Sequence, residues 1–196
     1  MTRALFLDRD GVLDELVYYD DTHGYEAPRK PEDLKLRPRV REALETAAKH
    51  GWKIFVVTNQ PDAAKGKTTI ESLRAVHARL LDELHGAPVT EFFYCFHRAE
   101  ERCKCRKPEP QHVLDAAKKY HINLNDSWFV GDADTDIECG RRAGTHTALL
   151  EYPHSRSKRG AQRADWVCRD LDHFVRRLTG QPSEWSESSD ASRPED

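Results

Sequence analysis

Six short apolar runs punctuate this chain: Ala4–Leu7, Lys53–Thr58, Phe92–Phe96, Ser127–Val130, Thr145–Leu150 and Asp165–Cys168. Each is nearly continuous in apolar character, as a strand buried on both faces must be, and helical patterns lie between them. Val40, Leu44, Ala47 and Ala48 recur at helical spacing before Gly51. Thr68-Thr69-Ile70-Glu71 has the form of a capping box ahead of Leu73, Val76, Leu80 and Leu84. Pro110 opens a third helix through Val113, Leu114 and Ala117, and a fourth runs from about Thr135 to Ala143, ended by Gly144. Asp170 caps a last one carrying Leu171, Phe174, Val175 and Leu178. Strand alternating with helix predicts an α/β fold: a three-layer Rossmann-like sandwich around a mostly parallel sheet.

At 196 residues and 38% hydrophobic, the chain is long enough for one such core. The reading is a single domain over 1–180, followed by a polar, acidic, disordered tail over 181–196. A formal net charge of −3 gives no electrostatic case for nucleic acid. No apolar stretch approaches the roughly 20 residues that span a bilayer, and Met1-Thr2-Arg3 leads straight into a strand. The expected setting is the cytoplasm, and the expected form a monomer acting on a small molecule. Tyr18–Pro38 is long, polar and Pro-rich, so it reads as a loop over the strand ends.

In open parallel sheets ligands sit at the carboxyl ends of the strands. The first run ends in Asp8-Arg9-Asp10-Gly11. If the extended geometry persists, Asp8 and Asp10 project to one side and Arg9 to the other. Two close carboxylates need a cation, a shared proton or solvent between them, and Mg²⁺ with a substrate phosphate fits. After the fourth run come Asp132, Asp134 and Asp136. Asp132 is the candidate third metal ligand. Asp134 reads as a helix cap or loop residue, and for Asp136 both site support and plain capping stand open. Thr58 and Lys107 supply a hydroxyl and a point charge for phosphoryl oxygens.

Cys95, His97, Cys103 and Cys105 fall within eleven residues and make a closed donor set of the kind that holds structural Zn²⁺. Cys139 and Cys168 read as ordinary thiols, and His23 as an exposed loop residue. His50, His77, His85 and His112 read as surface or packing residues.

Asp8-x-Asp10-Gly11, Thr58-Asn59, Lys107-Pro108 and Gly131-Asp132-x-x-x-Asp136, in that order, resemble the four motifs of the haloacid dehalogenase superfamily. The resemblance spans roughly Ala4 to Leu178. It implies that Asp8 is a nucleophile forming an aspartyl-phosphate, with Asp10 as general acid and then base. It also implies Mg²⁺ bound by Asp8, the Asp10 backbone carbonyl and Asp132. The CxH…CxC loop resembles a capless subgroup that acts on heptose 1,7-bisphosphate or histidinol phosphate. Within it the heptose branch is favoured, so the implied reaction is removal of a 7-phosphate in nucleotide-activated heptose biosynthesis. Substrate contacts would come from Tyr18–Tyr25, from Asn59–Lys67 with Asn59 and Gln60, and from the zinc loop. There Arg106 would hold a second, non-reacting phosphate. The sequence departs from that branch at Pro61-Asp62-Ala63, where Ser-Gly-Ile is common, and at Ala133, often a lysine.

Overall fold

The computed structural model describes residues 2–182; the remainder of the predicted tail lies outside the described residues. In chain order the strands are β1 (Ala4–Leu7), β2 (Val17–Tyr19), β3 (Gly24–Glu26), β4 (Lys53–Asn59), β5 (Glu91–Cys95), β6 (Trp128–Gly131), β7 (His146–Leu150) and β8 (Trp166–Cys168). The helices are α1 (Val40–Lys49), α2 (Ile70–Leu84), α3 (Gln111–Tyr120), α4 (Asp134–Ala143) and α5 (Leu171–Thr179). Six parallel strands form one sheet in the order β5-β4-β1-β6-β7-β8.

The apolar runs divide their side chains by strand alternation. Leu5, Leu7, Ile54, Val56 and Val130 face α1, α2 and α5, where Leu44, Leu80 and Phe174 complete one core. Ala4, Phe6, Phe55, Val57 and Phe129 face α3 and α4, where Val113, Ala116 and Cys139 complete the other. On that second face Phe6 stacks on Phe55 at 5.3 Å and on Phe129 at 6.4 Å, tying the three central strands together. Burying each such ring contributes roughly 2–3 kcal/mol.

Two helix starts differ from expectation. Thr69, not Thr68, caps α2 by accepting from Ser72 N at 3.1 Å, which puts Ser72 where a capping box needs Glu71. Thr68 donates instead to the Arg29 carbonyl at 2.8 Å, fastening α2 to the segment before it. Pro110 is the N-cap of α3 rather than its first residue, and Leu114 on that helix is exposed.

The 18–38 segment is more ordered than a loop. It holds the antiparallel hairpin of β2 with β3 and a 3-10 turn at Pro31–Asp33. Strands of three residues leave too little pattern to read. Side chains pin them: Tyr18 against Tyr25 at 5.4 Å, Tyr19 Oη to Asp33 at 2.6 Å, and Arg29 to Asp21 and Glu26 at 2.7 Å each.

Helix α4 lies very close to the sheet at Gly140. A Cβ there would sit 2.7 Å from Phe129 Cβ and 2.8 Å from Thr147 Cγ2. Gly140→Ala should therefore cost about 1–2 kcal/mol, the overpacking strain exceeding the gain in helix propensity. A lower urea midpoint at unchanged slope would register it.

Candidate active site

Strand β1 sits between β4 and β6, so the sheet reverses its winding there and opens a crevice at the strand ends. Asp8 follows β1, Thr58 and Asn59 end β4, and Asp132 follows β6. A pocket of about 320 Å³ lies over them, lined among others by Asp8, Asp10, Gln60, Arg106, Lys107 and Asp132.

Lys107 is the centre of the charge arrangement. Its Nζ lies 2.7 Å from Asp8 Oδ1 and 2.8 Å from Asp136 Oδ1. Burial alone would lower its pKa, but Asp136 and Asp8 hold it above the ordinary lysine value. The main chain of Lys107 is fixed by Asn59, which accepts from Lys107 N at 3.0 Å and donates to Lys107 O at 3.1 Å. Asp136 also accepts from the N–H groups of Asp132 and Ala133 at 3.2 and 3.1 Å. It thus both caps α4 and seats the lysine. Asp134 is neither cap nor ligand: it gathers the N–H groups of Gly160, Ala161 and Gln162 at 2.8–3.2 Å.

Oxygens of Asp8, Asp132 and Asp136 lie within 4.8 Å of one another, and Asp132 Oδ2 is buried without a hydrogen-bond partner. Burial, opposed by Lys107 and reinforced by Asp136, pushes Asp8 up to about 7. Burial, then Asp136, pushes Asp132 up to about 6. Gly11, at φ +85°, brings its backbone so near that a Cβ would lie 2.1 Å from Asp132 Oδ2. Three crowded carboxyls with one orphaned oxygen are a donor set suited to a hard divalent cation.

The extended geometry does not persist past Leu7. The chain turns at once, with Leu13 N donating to Arg9 O at 2.7 Å. The Asp10 carboxylate, which lines the same pocket as Asp8, is engaged by its own set of donors. Its Oδ1 accepts from Arg9 Nε and Nη2 at 3.0 and 2.6 Å, and its Oδ2 from Gln60 Nε2 and Thr58 Oγ1 at 2.5 and 3.3 Å. Asn59 and Gln60 line the pocket, as their expected part in substrate contact requires, and their side chains also have partners within the protein. The Thr58 hydroxyl and the Gln60 amide both address Asp10, and the Asn59 amide addresses Lys107. Buried Arg9, which strand alternation sends to the far side, is part of the constellation. Alternation could not show this, because a tight turn brings neighbours together.

The four predicted zinc donors do converge. Cys105 Sγ lies 3.3 Å from Cys95 Sγ and from His97 Nδ1, and 3.5 Å from Cys103 Sγ; Cys95 lies 3.6 Å from Cys103 and His97. A tetrahedron with Zn–S of about 2.3 Å has edges of about 3.8 Å, so the set is close to that geometry. The loop ends beside Arg106, whose Nη1 donates to His97 O at 3.1 Å. Around the mouth, Lys67 pairs with Glu26 at 2.5 Å, and Lys65 and Lys158 add charge. The Tyr25 ring stacks on His154 at 3.8 Å, joining the hairpin to the turn at Pro153–Lys158. His23 is exposed and away from the pocket.

A parallel sheet with a lysine clasped by acids at its central strand ends is an arrangement for handling phosphoryl groups, and comparison places it. A HAD-hydrolase-like family model matches residues 104–174. The chain is 32% identical to a D-glycero-beta-D-manno-heptose-1,7-bisphosphate 7-phosphatase of Helicobacter pylori, over 88% of this chain and 95% of that one. It is 35% identical to the like-named protein of Pseudomonas putida, over 76% and 82%. The chain belongs to the haloacid dehalogenase-like family, on the branch that includes these heptose bisphosphate phosphatases. Among solved structures, the D,D-heptose 1,7-bisphosphate phosphatase of Bordetella bronchiseptica, complexed with magnesium and phosphate, aligns with a TM-score of 0.79 at 27% identity. That alignment covers 91% of this chain and 99% of the other.

Carboxyls that hold protons near neutrality must release them to bind a cation. Calorimetric titration with Mg²⁺ should therefore show affinity rising as pH climbs through 6 and 7, the values of Asp132 and Asp8, then levelling. Below that window it should fall by up to about tenfold per pH unit for each proton displaced. An affinity indifferent to pH would mean that these carboxyls do not carry the ion.

Proposed function

We propose that this chain hydrolyses the 7-phosphate of D-glycero-D-manno-heptose 1,7-bisphosphate through an aspartyl-phosphate intermediate, in the making of nucleotide-activated heptose. The observation that carries the reading is the Lys107 ammonium 2.7 Å from Asp8, beside Asp132 and Asp136, on the floor of a pocket with a cationic rim. The similarity to phosphatases named for that substrate supports the leaving group.

In this reading Asp8 attacks phosphorus. The new carboxylate–phosphorus bond forms as the ester oxygen departs, and Asp10 gives that oxygen its proton. Asp10, now ionised, takes a proton from water attacking the phosphoenzyme, and Asp8 and inorganic phosphate are released. Lys107 balances charge on the phosphoryl oxygens throughout. Thr58 and Gln60 hold Asp10, and Asn59 holds the main chain of Lys107. Arg106, at the rim, recognises the second phosphate, where a guanidinium fork matches its oxygens.

Asp8, Asp132 and the Asp10 carbonyl would hold Mg²⁺, with Asp136 beside them; the bound ion would neutralise phosphoryl charge. Cys95, His97, Cys103 and Cys105 would hold a structural Zn²⁺, which fits three thiols and an imidazole near tetrahedral spacing. The proposed setting is the cytoplasm and the proposed form a monomer. No helix among the described residues is long and apolar enough to cross a membrane.

Phosphate release should be followed from the α and β anomers of the bisphosphate and from histidinol phosphate, with Mg²⁺. Rapid release from a bisphosphate, reduced more than about a thousandfold by Asp8→Asn, is the expected result. Release confined to histidinol phosphate would sink the substrate assignment and leave the chemistry. Separately, Cys105→Ser should lose stoichiometric zinc by atomic absorption and at least about tenfold in activity, because the loop leads directly into Lys107. Full activity in zinc-free protein would contradict the structural role.

A further inference from the structure

Arg9 is a completely buried guanidinium that does not line the pocket. Burying a charge is costly even when it is paired, so its place needs a reason. Its Nε and Nη2 both converge on Asp10 Oδ1, at 3.0 and 2.6 Å. From the other side Asp14 Oδ2 lies 3.3 Å from the same Nε, and Asp14 is itself fully buried. Asp14 belongs to the same tight turn: its N–H donates to Arg9 O at 3.2 Å. The Tyr94 hydroxyl faces the guanidinium and shares a 2.5 Å hydrogen bond with His77 Nδ1. Arg9 Nη1 is buried without a hydrogen-bond partner, so the guanidinium is held through Nε and Nη2. Because Gln60 grips the opposite oxygen of Asp10 at 2.5 Å, the carboxylate plane is held at both ends.

We infer that Arg9, seated by Asp14, is a positioning residue that sets the Asp10 carboxyl in line for proton delivery to the departing oxygen. The inference rests on the proposed function, in which Asp10 is the proton donor. Stability alone would require only that the charges be paired. Convergence of two donors on one oxygen, with Gln60 on the other, sets an orientation as well. Lysine could keep the charge, but its single ammonium cannot supply the guanidinium's spaced donors.

The test exploits leaving groups. An alkoxide needs a proton to depart; p-nitrophenolate does not. The readout is the ratio of kcat/KM for sn-glycerol 3-phosphate to that for p-nitrophenyl phosphate, with Mg²⁺, in wild type, Arg9→Lys and Asp14→Asn. The ratio is independent of the fraction of protein that is folded, so partial misfolding cannot imitate the effect. General acid catalysis is worth about 10²–10⁴-fold, and a misaligned acid should forfeit a share of that. The ratio should fall at least about tenfold in Arg9→Lys and by a smaller factor in Asp14→Asn. Equal losses for both esters would reduce Arg9 to a structural ion pair and overturn the inference, as would no loss at all. Should Arg9→Lys yield no folded protein, the ratio in Asp14→Asn decides the matter by the same criterion. Were only the heptose bisphosphate cleaved, its kcat/KM should fall at least about tenfold in Arg9→Lys at unchanged Mg²⁺ affinity, and an unchanged kcat/KM would overturn the inference. Failure of the wild type on all three substrates would bring down the phosphatase reading, and the tether with it.

Discussion

The ammonium of Lys107, lodged between Asp8 and Asp136, is the interaction around which the rest of the site is arranged. A buried lysine is tolerable only where anions surround it, and buried anions only where something positive answers them. Each party comes from a different part of the chain. Asp8 follows the central strand, Asp136 lies in the first turn of α4, and the lysine comes from the segment after the cysteine loop. The sheet brings the carboxylates together, and Asn59 at the end of β4 secures the lysine's main chain. Weakening any of these attachments exposes the same imbalance of charge.

Two aspartates separated by one residue inhabit different surroundings as a result. Asp8 shares its neighbourhood with a cation and two further acids. Asp10 is enclosed by donors: Arg9, Gln60 and Thr58. Divergent environments for paired carboxyl groups are how one site assigns them different tasks. Here the divergence comes from the sharp turn after β1, which sets Asp10 against Arg9, Gln60 and Thr58. The abrupt end of the hydrophobic strand is what makes this separation possible.

Much of this was legible in the sequence. The six apolar runs match the six parallel strands to within a residue or two, most strongly in β1, β4 and β6, where burial on both faces leaves a continuous apolar pattern. The cysteine–histidine donors converge because their short spacing leaves few other arrangements. Less legible were features set by contacts distant in sequence. The hairpin depends on Tyr19 reaching Asp33 and on Lys67 reaching Glu26, pairs that no periodicity announces. That the amides of Asn59 and Gln60 address Lys107 and Asp10 is equally hidden in a linear motif, because it depends on the strands being adjacent. Arg9 escapes the alternation rule, which holds only while a strand stays extended. Asp134, which organises residues 160–162, carries no signal of that in its own neighbourhood.

The stack of Tyr25 on His154 joins two walls of the pocket that the chain builds from remote segments. Such a ring pair is worth roughly 0.5–1.5 kcal/mol beyond its buried area, so it fastens the walls without welding them. Two stretches remote in sequence thus meet at a ring contact whose hairpin member, Tyr25, lines the pocket.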